Sequence, residues 1–220
     1  MITRPARHTG GPAAVPAAPS AALNGYGPEL RYDGKPVVHG VSVDLAAGRV
    51  AAPVGPNGSG KSTLLRALSR LHRTDGGRVA LGGRGGRPER DAAPLSAREF
   101  AREQRVRLAA CLARETGVVL LDEPTNHLGL RHRIETLDLV RDLVDEHGIA
   151  VGIVLHDLDR ASRVADTLVL LRSGRVHAAG APTGVLTADN IGEVYAMRVE
   201  AAADPRTGRL RTDPIGRHLA

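Results

Sequence analysis

The residues of this chain with the clearest chemical pattern run from Gly55 to Thr63 and read GPNGSGKST. They fit G-x-x-x-x-G-K-[ST], in which backbone N–H groups surround phosphate oxygens, the lysine reaches the outer phosphates and the hydroxyl reaches Mg²⁺. A plain glycine-rich turn is the alternative, but residues 50–54 read as an apolar strand before the loop and residues 64–68 as a helix after it. A helix N-terminus favours anions. The residues expected to bind nucleotide phosphates are Gly55, Asn57, Gly58, Ser59, Gly60, Lys61, Ser62 and Thr63.

Two carboxylates, Asp122 and Glu123, follow the apolar run 117–121. A continuous apolar strand indicates a sheet that is covered on both faces, as in parallel α/β folds, and such sheets bind ligands at the carboxyl ends of their strands. Asp122 can therefore hold Mg²⁺ through water, and Glu123 can orient or activate an attacking water. An ordinary acidic strand end is the alternative interpretation.

A histidine follows the next buried strand, since the apolar run 149–155 ends at His156. At that edge an imidazole can hydrogen-bond a γ-phosphate and polarise the attack, although a histidine considered alone is more often structural. One aromatic residue is also well placed, because Tyr32 lies 23 positions before Gly55 (55 − 32 = 23). Tyr32 could stack on an adenine ring, or it could pack across the strands of a sheet.

The rest of the chain supplies the elements that must position these groups. Residues 25–54 alternate like a small antiparallel sheet, with turns at Asp33-Gly34 and Gly48. The helix after the phosphate loop is expected to end near residues 74–77, before a short strand at 78–81. The further predicted elements are helices from Ser96 and at 130–146 and 158–164, strands at 167–171 and 175–177, and a short helical segment from 180.

Composition limits what the chain can be. Of its 220 residues 42% are apolar but only 2% are aromatic, so we expect a core of small aliphatic side chains. Residues 1–24 read as a disordered Pro/Ala-rich leader and residues 25–220 as a single domain, with no signal peptide or transmembrane segment. The single Cys111 excludes an internal disulfide and suits a reducing cytosol.

The charge of the chain admits two interpretations. A net charge of +6 and a pI of 10.3 could indicate nucleic-acid binding, but the arginines are scattered and few aromatic side chains could stack on bases. Attraction to anionic lipid near a membrane partner explains the charge equally well. We therefore expect no specific nucleic-acid partner.

Taken together, these residues resemble the ATP-binding subunits of ABC transporters. The segments that match the motifs of that family are Gly55 to Thr63 (Walker A), Val118 to Pro124 (Walker B), Asn126 to Gly129 (D-loop) and His156-Asp157 (switch histidine). The tail is similar to the iron-siderophore import subgroup, on the strength of Gly174-Arg175-Val176, Val194-Tyr195 and Asp204-Pro205-Arg206-Thr207-Gly208.

The resemblance implies an α/β fold, a P-loop NTPase of ABC ATPase type, with a mostly parallel core sheet flanked by helices and a small antiparallel β arm. It implies ATP and Mg²⁺ as cofactors, with Ser62 and Asp122 on the metal, Glu123 and His156 as catalytic residues, and Tyr32 against the adenine. It also implies membrane-spanning permease subunits as partners at the cytoplasmic face of the cell membrane. A second ATPase subunit would complete the assembly, as a homodimer or as a heterodimer with an intact subunit.

One part of the family pattern is missing. Lys61 and Asp122 lie only 61 positions apart (122 − 61 = 61), whereas relatives carry a much longer segment with a Q-loop, a helical subdomain and an LSGGQ signature. The residues Arg98-Glu99-Phe100-Ala101-Arg102 stand where the signature belongs. We therefore predict a shortened middle at 82–104 and a helical subdomain that is missing or reduced to one helix.

The missing signature motivates a second hypothesis. In the family the signature glycines close over the γ-phosphate bound by the other subunit, and bulky arginine side chains cannot make that close backbone approach. A symmetric homodimer would leave both composite sites incomplete. The chain could therefore be a degenerate nucleotide-binding pseudo-subunit with little or no ATPase activity, which an intact partner could complete. Gly129 in place of the D-loop aspartate and Pro53 in the strand before the loop point the same way.

Overall fold

A five-stranded sheet lies at the centre of the protein, in a computed structural model that describes residues 21–32, 34–72, 74–81 and 117–216. In spatial order its strands are β6 (Val118–Asp122), β7 (Ala150–Val154), β4 (Val50–Val54), β8 (Thr167–Arg172) and β9 (Arg175–Gly180). The first four strands run parallel and β9 runs antiparallel to β8. These strand directions confirm the mostly parallel core that was predicted from the sequence. The phosphate loop follows the middle strand, β4.

A second, antiparallel sheet forms the predicted β arm. Its strands are β1 (Ala21–Tyr32), β2 (Lys35–His39), β3 (Val43–Ala46) and β5 (Gly76–Leu81), and the last three all pair with β1. The first strand begins at Ala21, so residues 21–24, which the sequence analysis placed in the leader, belong to the sheet. These residues join the sheet because they pair with β3 and β5, which their own strand propensity does not indicate.

The helices and a final hairpin surround these sheets. Their bounds are α1 (Lys61–Leu68), α2 (Leu130–His147), α3 (Leu158–Val164), α4 (Pro182–Val185), α5 (Ala188–Tyr195), β10 (Val199–Ala203) and β11 (Leu210–Pro214). The prediction that the helix after the phosphate loop continues to residues 74–77 is wrong, because α1 ends at Leu68 and Arg70 turns to a φ of 57°. No helix among the described residues is long and apolar enough to cross a membrane.

Both faces of the central sheet are covered, as its continuous apolar strands predict. On β4, Val50, Ala52 and Val54 join one buried cluster with side chains of α2, α3 and α5, whereas Ala51 joins a second cluster with α1 and the arm. Successive strand residues point to opposite faces, which explains the alternation. Each fully buried Val or Leu stabilises the fold by about 1.5–3 kcal/mol.

Pro53 lies in the middle strand, where a proline removes one N–H from the ladder. The register of β4 with β8 runs through Val54, but its register with β7 ends at Ala51 opposite Gly152, before the proline. The ladder between β4 and β7 therefore stops before Pro53.

Several sequence predictions fall outside the described residues. They are the leader at 1–20, the shortened middle at 82–104, the helix from Ser96, and Cys111. The side chain of Tyr32 is also outside them, so its stacking on adenine stays a prediction.

Candidate nucleotide-binding and catalytic site

The phosphate loop takes a backbone path that favours glycine. Gly55, Gly58 and Gly60 have φ values of 147°, 78° and 99°, in the region that favours glycine. A Cβ on Gly55 would lie 2.4 Å from the carbonyl oxygen of Leu171, whereas a Cβ on Gly58 would meet nothing within 4 Å. The loop is therefore tightly held at its start and open at its turn, where Asn57 is also exposed.

Lys61 begins α1 and is 5% exposed. Its Nζ donates hydrogen bonds of 3.0 Å to the carbonyl oxygens of Gly55 and Pro56, so the ammonium lies across the loop. Burial lowers the pKa of Lys61, and the nearby Glu123 and Asp122 carboxylates oppose that shift. A buried ammonium that faces carbonyl groups would gain from a charged phosphate, because charge-assisted hydrogen bonds are the stronger ones.

Ser62, the next residue, connects the loop to β6. Its hydroxyl donates a 2.9 Å hydrogen bond to the Oδ1 atom of Asp122. Hydroxyl and carboxylate oxygens are ligands that suit Mg²⁺, which keeps several waters and binds through one or two carboxylates plus phosphate. No group of three or more His, Cys, Asp or Glu that could hold a metal occurs within the described ranges. The Ser62–Asp122 pair supplies two such oxygens and fits a Mg²⁺ ion that shares its shell with water and phosphate.

Glu123 follows β6 in a conformation that non-glycine residues rarely adopt, with a φ of 51°. Its backbone N–H donates to the carbonyl oxygen of Val154 at 3.1 Å, which ties it to the end of β7. Backbone strain of this kind costs on the order of 1–3 kcal/mol and is concentrated at functional sites.

His156 meets that carboxylate from the neighbouring strand. Its Nε2 lies 2.5 Å from Oε1 of Glu123, and the two side chains are 42% and 26% exposed. Both groups are thus close enough to share a proton and open enough to reach a ligand. The parallel pairing of β6 with β7, with Asp122 opposite Val154, brings the two residues to one edge.

The turn between β8 and β9 supports the phosphate loop through backbone hydrogen bonds. The N–H of Gly174, between β8 and β9, donates to the carbonyl oxygen of Ser59 at 3.0 Å, and its own oxygen accepts from the N–H of His39 at 2.8 Å. The loop is therefore fixed to both the core sheet and the arm. The hydroxyl of Ser59 is buried and has no hydrogen-bond partner among the described residues.

Tyr195, at the end of α5, also reaches the phosphate loop, and sequence reasoning gave it no role. Burial raises the pKa of the Tyr195 phenol to about 12, while a hydrogen bond from the Gly55 backbone opposes the shift. The residue also packs against the buried cluster on that face of the sheet. The only signal in the sequence was the family-like Val194-Tyr195 in the tail.

The structure brings together most of the residues that were predicted to act. Lys61, Ser62, Asp122, Glu123 and His156 meet at the carboxyl edge of the parallel sheet. Thr63 lies half-buried in the first turn of α1. Fold and site together define a P-loop nucleotide-binding protein.

Comparison with known proteins narrows this class. The ABC transporter family profile matches residues 38–100. A hemin import ATP-binding protein of Streptomyces coelicolor is 35% identical over 96% of this chain and 95% of its own length. The ferric enterobactin transport ATP-binding protein of Escherichia coli is 32% identical, over 90% of this chain and 95% of its own length. The chain belongs to the ATP-binding subunits of ABC transporters.

Two further comparisons bear on length and fold. A cobalamin import ATP-binding protein of Halobacterium salinarum is 33% identical over 88% of this chain, which spans 63% of that relative. An ATP-binding cassette of an ABC transporter, solved in its ADP conformation, superposes with a TM-score of 0.64 at 20% identity, over 80% of this chain and 98% of that one. At that identity the structural likeness shows the fold alone.

Proposed function

We propose that this chain is an ATP-binding and ATP-hydrolysing subunit of an ABC import system. The observation that carries the proposal is the set of five groups at one sheet edge: a buried ammonium at Lys61, the Ser62–Asp122 oxygen pair, and the Glu123–His156 pair. Each has a distinct task in phosphoryl transfer to water.

The roles follow from position. Lys61 and the loop amides would hold the β- and γ-phosphates, and Ser62 and Asp122 would hold Mg²⁺, which when bound neutralises charge on those phosphates. Glu123 would take a proton from the water that attacks the γ-phosphorus, while the bond from that phosphorus to the bridging oxygen breaks and ADP leaves. His156 would contact the γ-phosphate and the same carboxylate.

The cargo and the partners rest on the relatives. The names of the relatives reported above specify hemin, ferric enterobactin and cobalamin. We infer an iron-siderophore or similar cargo, permease subunits as membrane-spanning partners, and a peripheral position at the cytoplasmic face of the membrane. A chain that is built around a nucleotide site needs such partners to move a solute.

A second candidate is a pseudo-subunit with little or no turnover. The alignment with the Streptomyces relative has 269 positions but covers only about 211 residues here, 96% of 220, so about 58 positions face gaps in this chain. This supports a shortened middle without the signature. An intact partner subunit could then supply the signature that closes over the nucleotide on Lys61.

Glu123→Gln separates the two candidates, because it removes the proton acceptor while it keeps the shape of the side chain. For a working ATPase, we expect turnover to fall by about 10²–10⁴-fold with little change in MgATP binding. Turnover that is unchanged in Glu123→Gln would refute Glu123 as the base. Binding that requires Lys61 without any Glu123-dependent turnover would favour the pseudo-subunit.

A further inference from the structure

The carboxylate of Glu123 is bound from two sides. His156 Nε2 contacts Oε1, and the side-chain Nδ2 of Asn126 donates to Oε2. The amide must present its N–H₂ group rather than its oxygen, since two acceptor oxygens would repel each other. Asn126 is three residues beyond Glu123, so the base and this donor belong to one turn.

That turn is held firmly by its backbone. The N–H of Asn126 donates to the carbonyl oxygen of Glu123 at 3.1 Å, and the N–H of Leu128 donates to that of Thr125 at 3.4 Å. Arg133, in the first turn of α2, donates from Nε to the carbonyl oxygen of Leu128 at 2.6 Å. The amide of Asn126 is therefore carried by a fixed loop and is not a freely rotating surface group.

Two donors on two different oxygens fix the plane of a carboxylate. A carboxylate offers about four lone-pair sites, so two occupied sites still leave others for water. A single donor would leave the group free to rotate about its last bond, and the water would then lose its alignment.

From these contacts we propose that Asn126 is a positioning residue that, with His156, sets the orientation of the Glu123 carboxylate. Its catalytic meaning rests on the proposed ATPase function. The contact itself does not, and it can be measured without turnover.

Side-chain amide exchange by NMR tests the contact. The chain has four asparagines, Asn24, Asn57, Asn126 and Asn190, and one glutamine, Gln104, so Asn126→Ser identifies its resonance pair. We expect the Asn126 amide to exchange with solvent at least about 10-fold more slowly than the exposed Asn57 amide, and to lose that protection in Glu123→Ala. The Asn190 amide, which donates to Val185 O at 2.9 Å, should stay protected in both variants. An Asn126 amide that exchanges equally fast in both proteins would overturn the contact.

Turnover tests the role. In the chain paired with an intact partner subunit, Asn126→Ala should lower kcat at least about 10-fold, a part of what a general base supplies, with KM, nucleotide affinity and Tm unchanged. Asn126→Ser, which keeps a donor, should restore part of kcat. A protected amide with unchanged kcat in Asn126→Ala would refute the positioning role. Absence of Glu123-dependent turnover in the unmodified chain would instead refute the ATPase function, and the exchange data would still decide the contact.

Discussion

At the scale of single residues, we expect phosphate binding to depend most on Lys61. Its ammonium is buried against the carbonyl oxygens of Gly55 and Pro56, and no other cation lies in the described part of the loop. We expect Lys61→Ala to weaken MgATP binding about 10- to 100-fold, the loss of one charge-assisted hydrogen bond or more. Titration with a fluorescent ATP analogue would measure this.

The matched control for Lys61 lies on the same helix. Arg66 is an exposed cation of α1, so Arg66→Ala removes the same formal charge away from the loop. Equal losses in the two variants would mean that net charge, and not the loop, holds the nucleotide.

Sequence reasoning worked for residues whose spacing alone fixes their place. The residues of the loop and the ends of two buried strands had to meet at one edge once the sheet was parallel. It could not find the contact of Asn126 with Glu123, which a turn after β6 brings about, or that of Tyr195 with Gly55, which needs the tail to fold back.

At the scale of elements, the β8–β9 turn is a support for the phosphate loop. A Cβ on Gly174 would lie 2.1 Å from the carbonyl oxygen of Val37, beside the hydrogen bonds to Ser59 and from His39. We expect Gly174→Ala to destabilise the protein by about 3 kcal/mol or more and to weaken nucleotide binding. Chemical unfolding and nucleotide titration would show both effects.

Gly208 provides the comparison, because its φ is 67° but a Cβ there would meet nothing within 4 Å. Gly208→Ala should cost only about 1 kcal/mol and leave binding unchanged. A similar cost at both glycines would show that the clash with Val37 has no consequence.

Asp166, directly before β8, connects α2 with the start of β4. It accepts from Arg141 and Arg49 at 3.1 Å each and from the backbone N–H of Val50 at 2.8 Å. Burial acts to raise the pKa of Asp166, but these hydrogen bonds outweigh it and the pKa is lowered from 3.8. We expect Asp166→Asn to cost about 1.5–3 kcal/mol at neutral pH.

The sign of the pH dependence follows from that shift. A carboxyl with a lowered pKa in the folded state contributes stability above its unfolded pKa and loses it as the pH falls through the folded value. The difference in the free energy of unfolding between the original protein and Asp166→Asn should therefore become smaller below pH 3.8. Asp145→Asn removes the more exposed partner of Arg141 and should change stability by less than about 1 kcal/mol. If the difference in the free energy of unfolding between the original protein and Asp166→Asn stayed constant as the pH falls below 3.8, this role of Asp166 would be wrong.

Sequence patterns located the elements better than their ends. Strands β4, β6 and β8 are continuous apolar runs, so their place in a covered sheet could be read directly. The early start of β1 was missed because pairing with β3 and β5 sets it, and the early end of α1 was missed because the chain turns at Arg70, which has a φ of 57°. Propensity is a weak guide at such boundaries.

At the scale of the whole molecule, we propose that the chain presents one wall of a catalytic pocket. The described residues supply the phosphate loop, the Ser62–Asp122 oxygens that we propose hold Mg²⁺, and the Glu123–His156 pair. The sequence shows no signature to close over a second nucleotide, so we expect a mixed assembly to work better than copies of this chain alone. Size-exclusion chromatography with MgATP and Glu123→Gln should show association with an intact relative and little self-association.

The most direct test of this account is ATP turnover in a mixed dimer in which only this chain can catalyse. The partner would be a subunit of this family that carries the signature, with its own phosphate-loop lysine and catalytic glutamate replaced. We predict turnover well above the sum of the two proteins alone, and its loss when this chain carries Glu123→Gln. Turnover no greater than that sum, with MgATP still bound at Lys61, would contradict the account and leave the chain a pseudo-subunit.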